Sequence, residues 1–383
     1  MQQPMKAVLF ALNACPLASL GPYGNEWIAT PNLDRLASEG IVFDNHISAC
    51  PDPAAARREW IDRLTRMKSA GLRTVLVRAN RETTDAPAEF YAAWAELFDA
   101  RPDPADESPL DALLRSLPTI LDNLNESQDW FLWIDFDRLT PPWVVKPEVF
   151  EVYVEDLDDD GPADYDEEPV RPWIDPPTGW FDTNDLASWE LLHRTVAAVV
   201  TVFDAELGQL IGMLRERGLD RTATWLLTAD RGWPLGEHGV LGPFRPWLHQ
   251  ELVQTPLIVR LPAGADAGLR IPAITQSVDL VAAVAEWFGD ERAGRNLTPL
   301  IRGDVESIRD HAITRLATAT AEELSIRTPG WAYLLPIRVD PDDDPREPLL
   351  FAQPDDPWEV NDCLSREGEV AASLTEKLTS PPG

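Results

Sequence analysis

Short apolar runs of strand length alternate along the chain with longer segments of helical periodicity, and this alternation limits the fold to a few classes. The strand-like runs cover residues 7–12, 74–77, 130–136, 223–228 and 257–261. Between them, residues 57–70 and 185–217 carry apolar side chains at helical spacing. Asn184 is the predicted N-cap of the longer segment, and Gly218 its predicted stop. The order predicts an α/β domain with a mostly parallel sheet.

Charge and cysteine content exclude several classes of protein. The chain of 383 residues has 33 Lys and Arg against 65 Asp and Glu, a formal net charge of −32. Such a charge argues against nucleic acid or an anionic membrane as the main partner. The 3 cysteines are too few for a disulfide framework or a cysteine-rich zinc site. The first apolar run is too short for a signal-peptide core or a membrane span, so we expect a cytoplasmic protein.

Two units are predicted from the order of these patterns. Residues 1–300 form the α/β domain, interrupted at about 155–177 by an acidic, proline-rich excursion. Residues 301–383 form a smaller subdomain, with short extended pieces at 331–337 and 348–352 and a terminal helix at about 367–378. We therefore expect a small α+β unit at the C-terminal end.

Several motifs then follow one another in a recognisable order. They are LGPYGN at 20–25, TPNLDRLASEGIVF at 30–43, LTADRG at 227–232, LGEHG at 235–239 and QTPLIVR at 254–260. Together they resemble the sulfatase family of the alkaline-phosphatase-like superfamily, and the string TPNLDRLASEG is highly specific. The resemblance implies an alkaline-phosphatase-like large, mostly parallel sheet flanked by helices, followed by a small C-terminal α+β subdomain.

The resemblance also implies a calcium site, a formylglycine made from a cysteine, and basic groups around the sulfate. The metal-ligand positions of the family fall on Asn13, Ala14, Asp230 and Arg231. Asn13 and Asp230 can still offer an oxygen to a cation, but Ala14 offers none. Arg231 places a permanent cation where the divalent ion should lie, which weakens binding.

The nucleophile motif of the family, Cys or Ser followed by x-Pro-x-Arg, falls on Cys50. Asp52 takes the proline position and Ala54 the arginine position, while Arg57 lies two helical turns or ~10 Å along the axis. Cys50 precedes a predicted helix with Asp52 as N-cap and Pro53 at its first position. A helix N-terminus favours a reactive thiolate or an anion site. The alternative is an inherited, partly buried cysteine with no role.

Further candidate groups follow the predicted strands. Oxygen-bearing side chains at one predicted sheet edge are Asn13, Asp135, Asp137 and Asp230. They would form a replacement cation site, with Arg231 beside it; alternatively Asp230 and Asp137 pair with Arg231 and Arg138, or with solvent. His238, in the segment 237–239, is more typical of a turn than of a catalytic dyad. His249 stands in the tyrosine position of the family.

These substitutions predict a sulfatase-like protein that is catalytically degenerate and has a binding or scaffold role. No cofactor is then expected. Ca²⁺ would be expected only if the site is functional. The ligand class is a small sulfate ester or carbohydrate-like molecule, and a protein partner is unknown. One alternative is an active, metal-dependent sulfuric or phosphoric ester hydrolase with Cys50 as nucleophile or its precursor. Another is a protein-interaction module that uses the acidic excursion.

Overall fold

A computed structural model describes residues 5–78, 86–100, 109–136, 138–154, 170–243, 245–290, 294–342 and 345–379. The strands are β1 Lys6–Leu12, β2 Ile41–Ile47, β3 Arg73–Arg78, β4 Glu96–Asp99, β5 Trp130–Asp135, β6 Gly179–Trp180, β7 Thr224–Ala229, β8 Val240–Leu241, β9 Leu257–Arg260, β10 Leu269–Gln276, β11 Ala312–Ala317, β12 Glu322–Thr328, β13 Trp331–Arg338 and β14 Leu349–Ala352. The helices are α1 Pro31–Ser38, α2 Pro53–Ser69, α3 Ala88–Ala92, α4 Pro109–Asn125, α5 Pro147–Val154, α6 Leu186–Glu216, α7 Gln250–Val253, α8 Ser277–Trp287, α9 Thr298–Ile301 and α10 Gly368–Thr379.

The main sheet has eight strands in the order β10-β2-β9-β7-β1-β5-β3-β4. Strand β9 is antiparallel to both of its neighbours, β2 and β7, and the remaining pairs are parallel. This arrangement confirms the predicted mostly parallel sheet. Because β1, β5 and β7 run side by side in the same direction, the residues that follow them meet at one edge of the sheet.

Helices cover both faces of this sheet, which is why its central strands are apolar on both sides. On β1, Val8 and Phe10 pack into one core with α6, whereas Ala7 and Leu9 pack into the opposite core with α2 and α8. Helix α6 is also long and apolar enough to cross a membrane by length and composition. However, 67% of its most apolar stretch is buried inside the domain, as in the core helix of a globular protein.

The C-terminal part forms a separate antiparallel sheet in the order β11-β12-β13-β14. Helix α10 packs on it through Leu374 and Leu378, which share a core with Ile326, Tyr333 and Leu350. The predicted α+β subdomain is therefore present, with the extended pieces and terminal helix close to their predicted positions. The boundary at residue 300 stays a prediction.

Two local predictions need correction or fall outside the described residues. The N-cap of α6 is Asp185, not Asn184, because the Asp185 carboxylate accepts the Ser188 N–H at 3.1 Å. Gly218 follows the helix with φ +67°, as expected for a stop. Most of the acidic excursion, 155–169, and Asp137 lie outside the described residues.

Candidate active site

The sequence-predicted metal positions meet at the carboxyl edge of the main sheet. Leu12 of β1 lies opposite Ala229 of β7, and the Asp230 N–H donates to the Leu12 carbonyl at 3.0 Å. Further along the same two segments, the Cys15 N–H donates to the Arg231 carbonyl at 3.1 Å. The segment that contains Asn13 and Ala14 is thereby held against the segment that contains Asp230 and Arg231.

A buried arginine lies at this edge between two carboxylates. The Arg57 Nε donates to Asp230 Oδ2 at 2.8 Å, and its Nη2 donates to Asp135 Oδ1 at 2.9 Å. Arg57 and Asp135 are each 1% exposed. The predicted auxiliary Asp135 does therefore meet Asp230, but the partner that joins them is a guanidinium. We call Arg57, Asp135 and Asp230 the arginine triad.

Local sequence explains how Arg57 reaches this position. Asp52 caps α2 by accepting the Ala55 N–H at 2.8 Å, and Pro53 is the first helical residue, as predicted. Arg57 then lies on the same helix face as Trp60 and Leu64, which faces the sheet. The helix thus carries a charged residue into an apolar layer.

Aromatic rings enclose the guanidinium of the arginine triad. Arg57 Cζ lies 4.9 Å from the ring centroid of Trp133 and 5.5 Å from that of Phe90. Both rings are buried, and their faces attract the cation that the carboxylates also bind. The rings therefore keep water from the charges that the sheet edge brings together.

The electrostatics of the arginine triad reflect two carboxylates that share one buried cation. Burial raises the pKa of Asp230 to about 6, although the Arg57 charge opposes this change and the Asp135 charge adds to it. Burial opposes the charge of Arg57, but Asp135 and Asp230 outweigh it and hold the Arg57 pKa above its usual range. Arg57 Nη1 and Asp135 Oδ2 are buried without a hydrogen-bond partner among the described residues.

Cys50 lies in the loop between β2 and α2, near the arginine triad. The loop is tied to the triad by Ser48, whose hydroxyl donates to the Asp230 carbonyl at 2.9 Å. Burial raises the pKa of the Cys50 thiol to about 11, and the charge of Asp52 raises it further. Burial and the charge of Asp52 thus keep Cys50 a thiol at neutral pH, although it precedes a helix N-terminus.

His238 lies in a turn, as predicted, and also has a carboxylate partner. Gly236 and Gly239 have φ +98° and +70°, and the Gly239 N–H donates to the Gly236 carbonyl at 3.0 Å. His238 Nδ1 lies 2.7 Å from Glu251 Oε1 in α7. No hydrogen bond among the described residues joins this pair to the arginine triad.

A cavity of about 380 Å³ opens at the same edge of the sheet. Its wall includes residues 16–18, which follow β1, and Trp233, which follows β7. The aromatic side chains Tyr23 and Trp358 and the polar side chain of Gln250 also line it. Such a mixture of ring faces and polar groups is typical of a pocket for a small polar molecule.

Arg57 is the residue of this site that the sequence motifs did not identify. The sequence motifs relate Arg57 only to Cys50, seven residues earlier. Its actual partners, Asp135 and Asp230, lie where β5 and β7 end. The available signal was its place on the apolar face of a predicted helix, since a charge there needs a buried partner.

Sequence comparisons identify the family. A sequence model of the sulfatase family matches residues 54–290. An N-acetylglucosamine-6-O-sulfatase of Bacteroides thetaiotaomicron is 30% identical over 132 residues, which are 33% of this chain and 23% of that protein. The multifunctional alkaline phosphatase superfamily protein PehA of Trinickia caryophylli is 22% identical over 72% of each chain. Arylsulfatase K of Bos taurus is 24% identical over 53% of this chain and 38% of its own length.

Solved structures share the fold over nearly the whole length. A protein solved in complex with its substrate, D-glucosamine-2-N,6-O-disulfate, aligns with a TM-score of 0.74 at 16% identity and covers 98% of this chain and 96% of its own. The phosphonate monoester hydrolase of Agrobacterium radiobacter aligns with a TM-score of 0.71 at 17% identity, over 98% and 94%. Two of the curated relatives are matched over less than two thirds of their length. Since the family model spans more than half of the sequence, the chain belongs to the sulfatase family.

Proposed function

We propose that this member of the sulfatase family is catalytically degenerate and serves as a binding protein for a small sulfate ester or carbohydrate-like ligand. The observation that carries the proposal is the arginine triad. Its guanidinium lies between two carboxylates at the sheet edge to which the family resemblance assigns the calcium ion. A tethered monovalent cation thus neutralises the carboxylates that a divalent ion would otherwise need.

The remaining donors at this edge do not fit calcium. Calcium takes six to eight oxygen ligands, most of them anionic or carbonyl. Ala14 provides no side-chain oxygen. Arg231 adds a second positive charge next to Asp230, and this charge lowers the pKa of the Asp230 carboxyl. We therefore derive no catalytic step through a metal ion.

The nucleophile position supports the same proposal. Formylglycine formation is implied by the family only where the local Cys-x-Pro-x-Arg motif is intact, and here Asp52 and Ala54 replace its proline and arginine. The raised pKa keeps Cys50 protonated at neutral pH, so it is also a poor direct nucleophile.

The ligand class is supported by the cavity and by a relative. The solved neighbour with a TM-score of 0.74 binds a disulfated glucosamine. In this chain, the cavity beside the same sheet edge offers the rings of Tyr23, Trp233 and Trp358 to a sugar face and polar side chains to its hydroxyl groups. A ligand would bind there without being cleaved.

Calcium titration by calorimetry and an aryl sulfate hydrolysis assay test the proposal together. We expect no stoichiometric calcium binding by the native protein and no turnover above background. A variant that removes the tethered cation and restores oxygen ligands, Arg57→Met with Ala14→Asp and Arg231→Asn, should gain calcium binding. The control is Arg58→Met, an exposed arginine one residue further on the same helix.

Two results would overturn the proposal. One is calcium binding by the native protein that Asp230→Ala abolishes. The other is sulfate ester hydrolysis that Cys50→Ala abolishes. An aldehyde at Cys50, detected in the intact mass of the protein, would be independent evidence of that activity.

A further inference from the structure

A second cluster of ligand-type side chains lies where α7 meets the turn after β7. His238, His249 and Glu251 each offer one nitrogen or oxygen atom, and these atoms lie within 4.8 Å of one another. The two imidazole rings are stacked, with 3.8 Å between their centroids and 20° between their planes. These three residues, which we call the histidine cluster, share no residue with the arginine triad.

His249 has one ring nitrogen whose role is fixed and one that is unused. Its Nδ1 lies 2.9 Å from Glu359 Oε2, and Glu359 is also paired with Arg327 at 2.6 Å. Burial disfavours the charge of Glu359, but Arg327 and His249 lower its pKa to about 2, so it is an acceptor and Nδ1 must donate. The Nε2 atom of this 2% exposed residue has no hydrogen-bond partner among the described residues.

This arrangement of His249 is the one that metal-binding histidines use. A carboxylate that accepts from one ring nitrogen fixes the tautomer and leaves the lone pair of the other nitrogen for a metal ion. Left without any partner, a buried ring nitrogen costs free energy. A bound cation at Nε2 would remove that cost.

His238 is oriented by the same residue, Glu359. Its Nε2 lies 3.2 Å from the Glu359 carbonyl, which can only accept, so Nε2 donates and Nδ1 faces Glu251 Oε1 at 2.7 Å. In the metal-free protein a proton fills that contact. Burial opposes protonation of His238, but the hydrogen bond and charge of Glu251 outweigh it and raise the pKa to about 9. A metal ion would displace this proton.

The histidine cluster is reached from solvent through the cavity. His238 and Glu251 line its wall beside Gln250, and Glu237 lies in the same wall with its carboxylate accepting the Leu235 N–H at 2.6 Å. The cavity therefore provides an entry path and room for one further ligand, such as water.

We propose that His238, His249 and Glu251 bind a zinc ion, with a fourth position open to the cavity. Two imidazoles and one carboxylate suit Zn²⁺, whereas Ca²⁺ requires more oxygen ligands. With bonds of about 2.0–2.2 Å to zinc, the ligand atoms of a tetrahedral site lie roughly 3.5 Å apart. The 2.7 Å contact between His238 Nδ1 and Glu251 Oε1 must therefore open, and the stacked imidazole planes must tilt so that both point at the ion. The zinc ligands include neither Asp230 nor Cys50, but the open position faces the cavity in which the proposed function places its ligand.

Zinc binding to tag-free protein, previously stripped with EDTA, tests the proposal. We expect one Zn²⁺ per chain in a competition titration with a chromogenic chelator at pH 7.5. His249→Gln and Glu251→Gln should each weaken binding by at least about 10-fold, and loss of the orienting carboxylate in Glu359→Gln by about 10- to 100-fold. His311→Gln is the matched control, because His311 pairs with Asp310 away from the cluster.

Substitution by Co²⁺ provides a second readout that does not depend on affinity. A four-coordinate cobalt site should show visible absorption, and this absorption should be absent in Glu251→Gln, a variant at the cavity wall that leaves His249 in place. The proposal is overturned if the native protein fails to bind zinc stoichiometrically at micromolar concentrations. It is equally overturned if zinc affinity is unchanged in both His249→Gln and Glu251→Gln. Calcium binding at Asp230 would contradict the proposed function and leave this inference untouched.

Discussion

Arg57 lies at the edge of the main sheet where β5 and β7 end. Its charge is buried, hydrogen-bonded to two carboxylates and covered by the rings of Trp133 and Phe90. Buried ion pairs of this kind add little net stability, but removal of one partner leaves an uncompensated charge. The consequences of losing Arg57 therefore differ from those of losing an exposed arginine.

Arg57→Met should destabilise the protein by about 3–5 kcal/mol in urea unfolding, because Asp135 and Asp230 would remain buried without a cation. The loss should shrink from about pH 8 to about pH 5, since the pKa of Asp230 is already raised to about 6 and would rise further without Arg57. Arg58→Met, on the exposed side of α2, should change the free energy of unfolding by less than about 0.5 kcal/mol. Equal effects of the two substitutions would contradict the ionised triad.

At the scale of elements, helix α2 connects Cys50 with the arginine triad. Its first turn lies next to Cys50, and its second turn carries Arg57 to the ends of β5 and β7. Asp52 begins the helix and also raises the pKa of Cys50, so one carboxylate affects both helix stability and thiol chemistry.

Asp52→Ala should destabilise the protein by about 1 kcal/mol, because the Ala55 N–H loses its acceptor. Asp52→Asn is the matched control, since asparagine caps a helix about as well without the charge. The free energy of unfolding from urea titration at neutral pH distinguishes them. If both variants lose the same amount, the charge of Asp52 and not its cap is what stabilises α2.

In the main sheet, the strands that the sequence predicted are those buried on both faces. β1, β5 and β7 are continuous apolar runs because helices cover both sides of the sheet. β2 and β10 were missed, since β2 includes Asp44, Asn45 and His46 and β10 is an edge strand interrupted by Pro272. Apolar runs alone cannot reveal such strands.

Site residues could be predicted only where a family motif or the end of an apolar strand marks them. Asn13, Asp135 and Asp230 were found because each ends an apolar strand of a parallel sheet. The histidine cluster and its orienting Glu359 come from three separate segments, and their contact depends on how the C-terminal sheet packs on α7. No spacing along the chain contains that information.

At the scale of the molecule, the histidine cluster connects the main domain to the C-terminal segment through Glu359. The raised pKa of His238 makes this connection depend on pH. In the folded protein it is about 9, against an ordinary value of 6.5, so protonation of His238 stabilises the fold below about pH 6.5. That contribution is lost as the pH rises through 9.

The melting temperature, measured in EDTA, should therefore fall between about pH 7 and pH 9. The titration of Glu237, whose pKa is raised to about 7, changes the melting temperature mainly at lower pH. Glu251→Gln removes the group that raises the His238 pKa and should flatten the pH dependence. His311→Gln should leave it unchanged, and parallel curves for native protein and Glu251→Gln would contradict the assignment.

The arginine triad has one more consequence for the whole molecule. An ion taken from solution can dissociate, compete with other ions, or be removed by a chelator. A guanidinium that belongs to the polypeptide does none of these, so the positive charge at this sheet edge is present at every calcium concentration and is made with each newly synthesised chain.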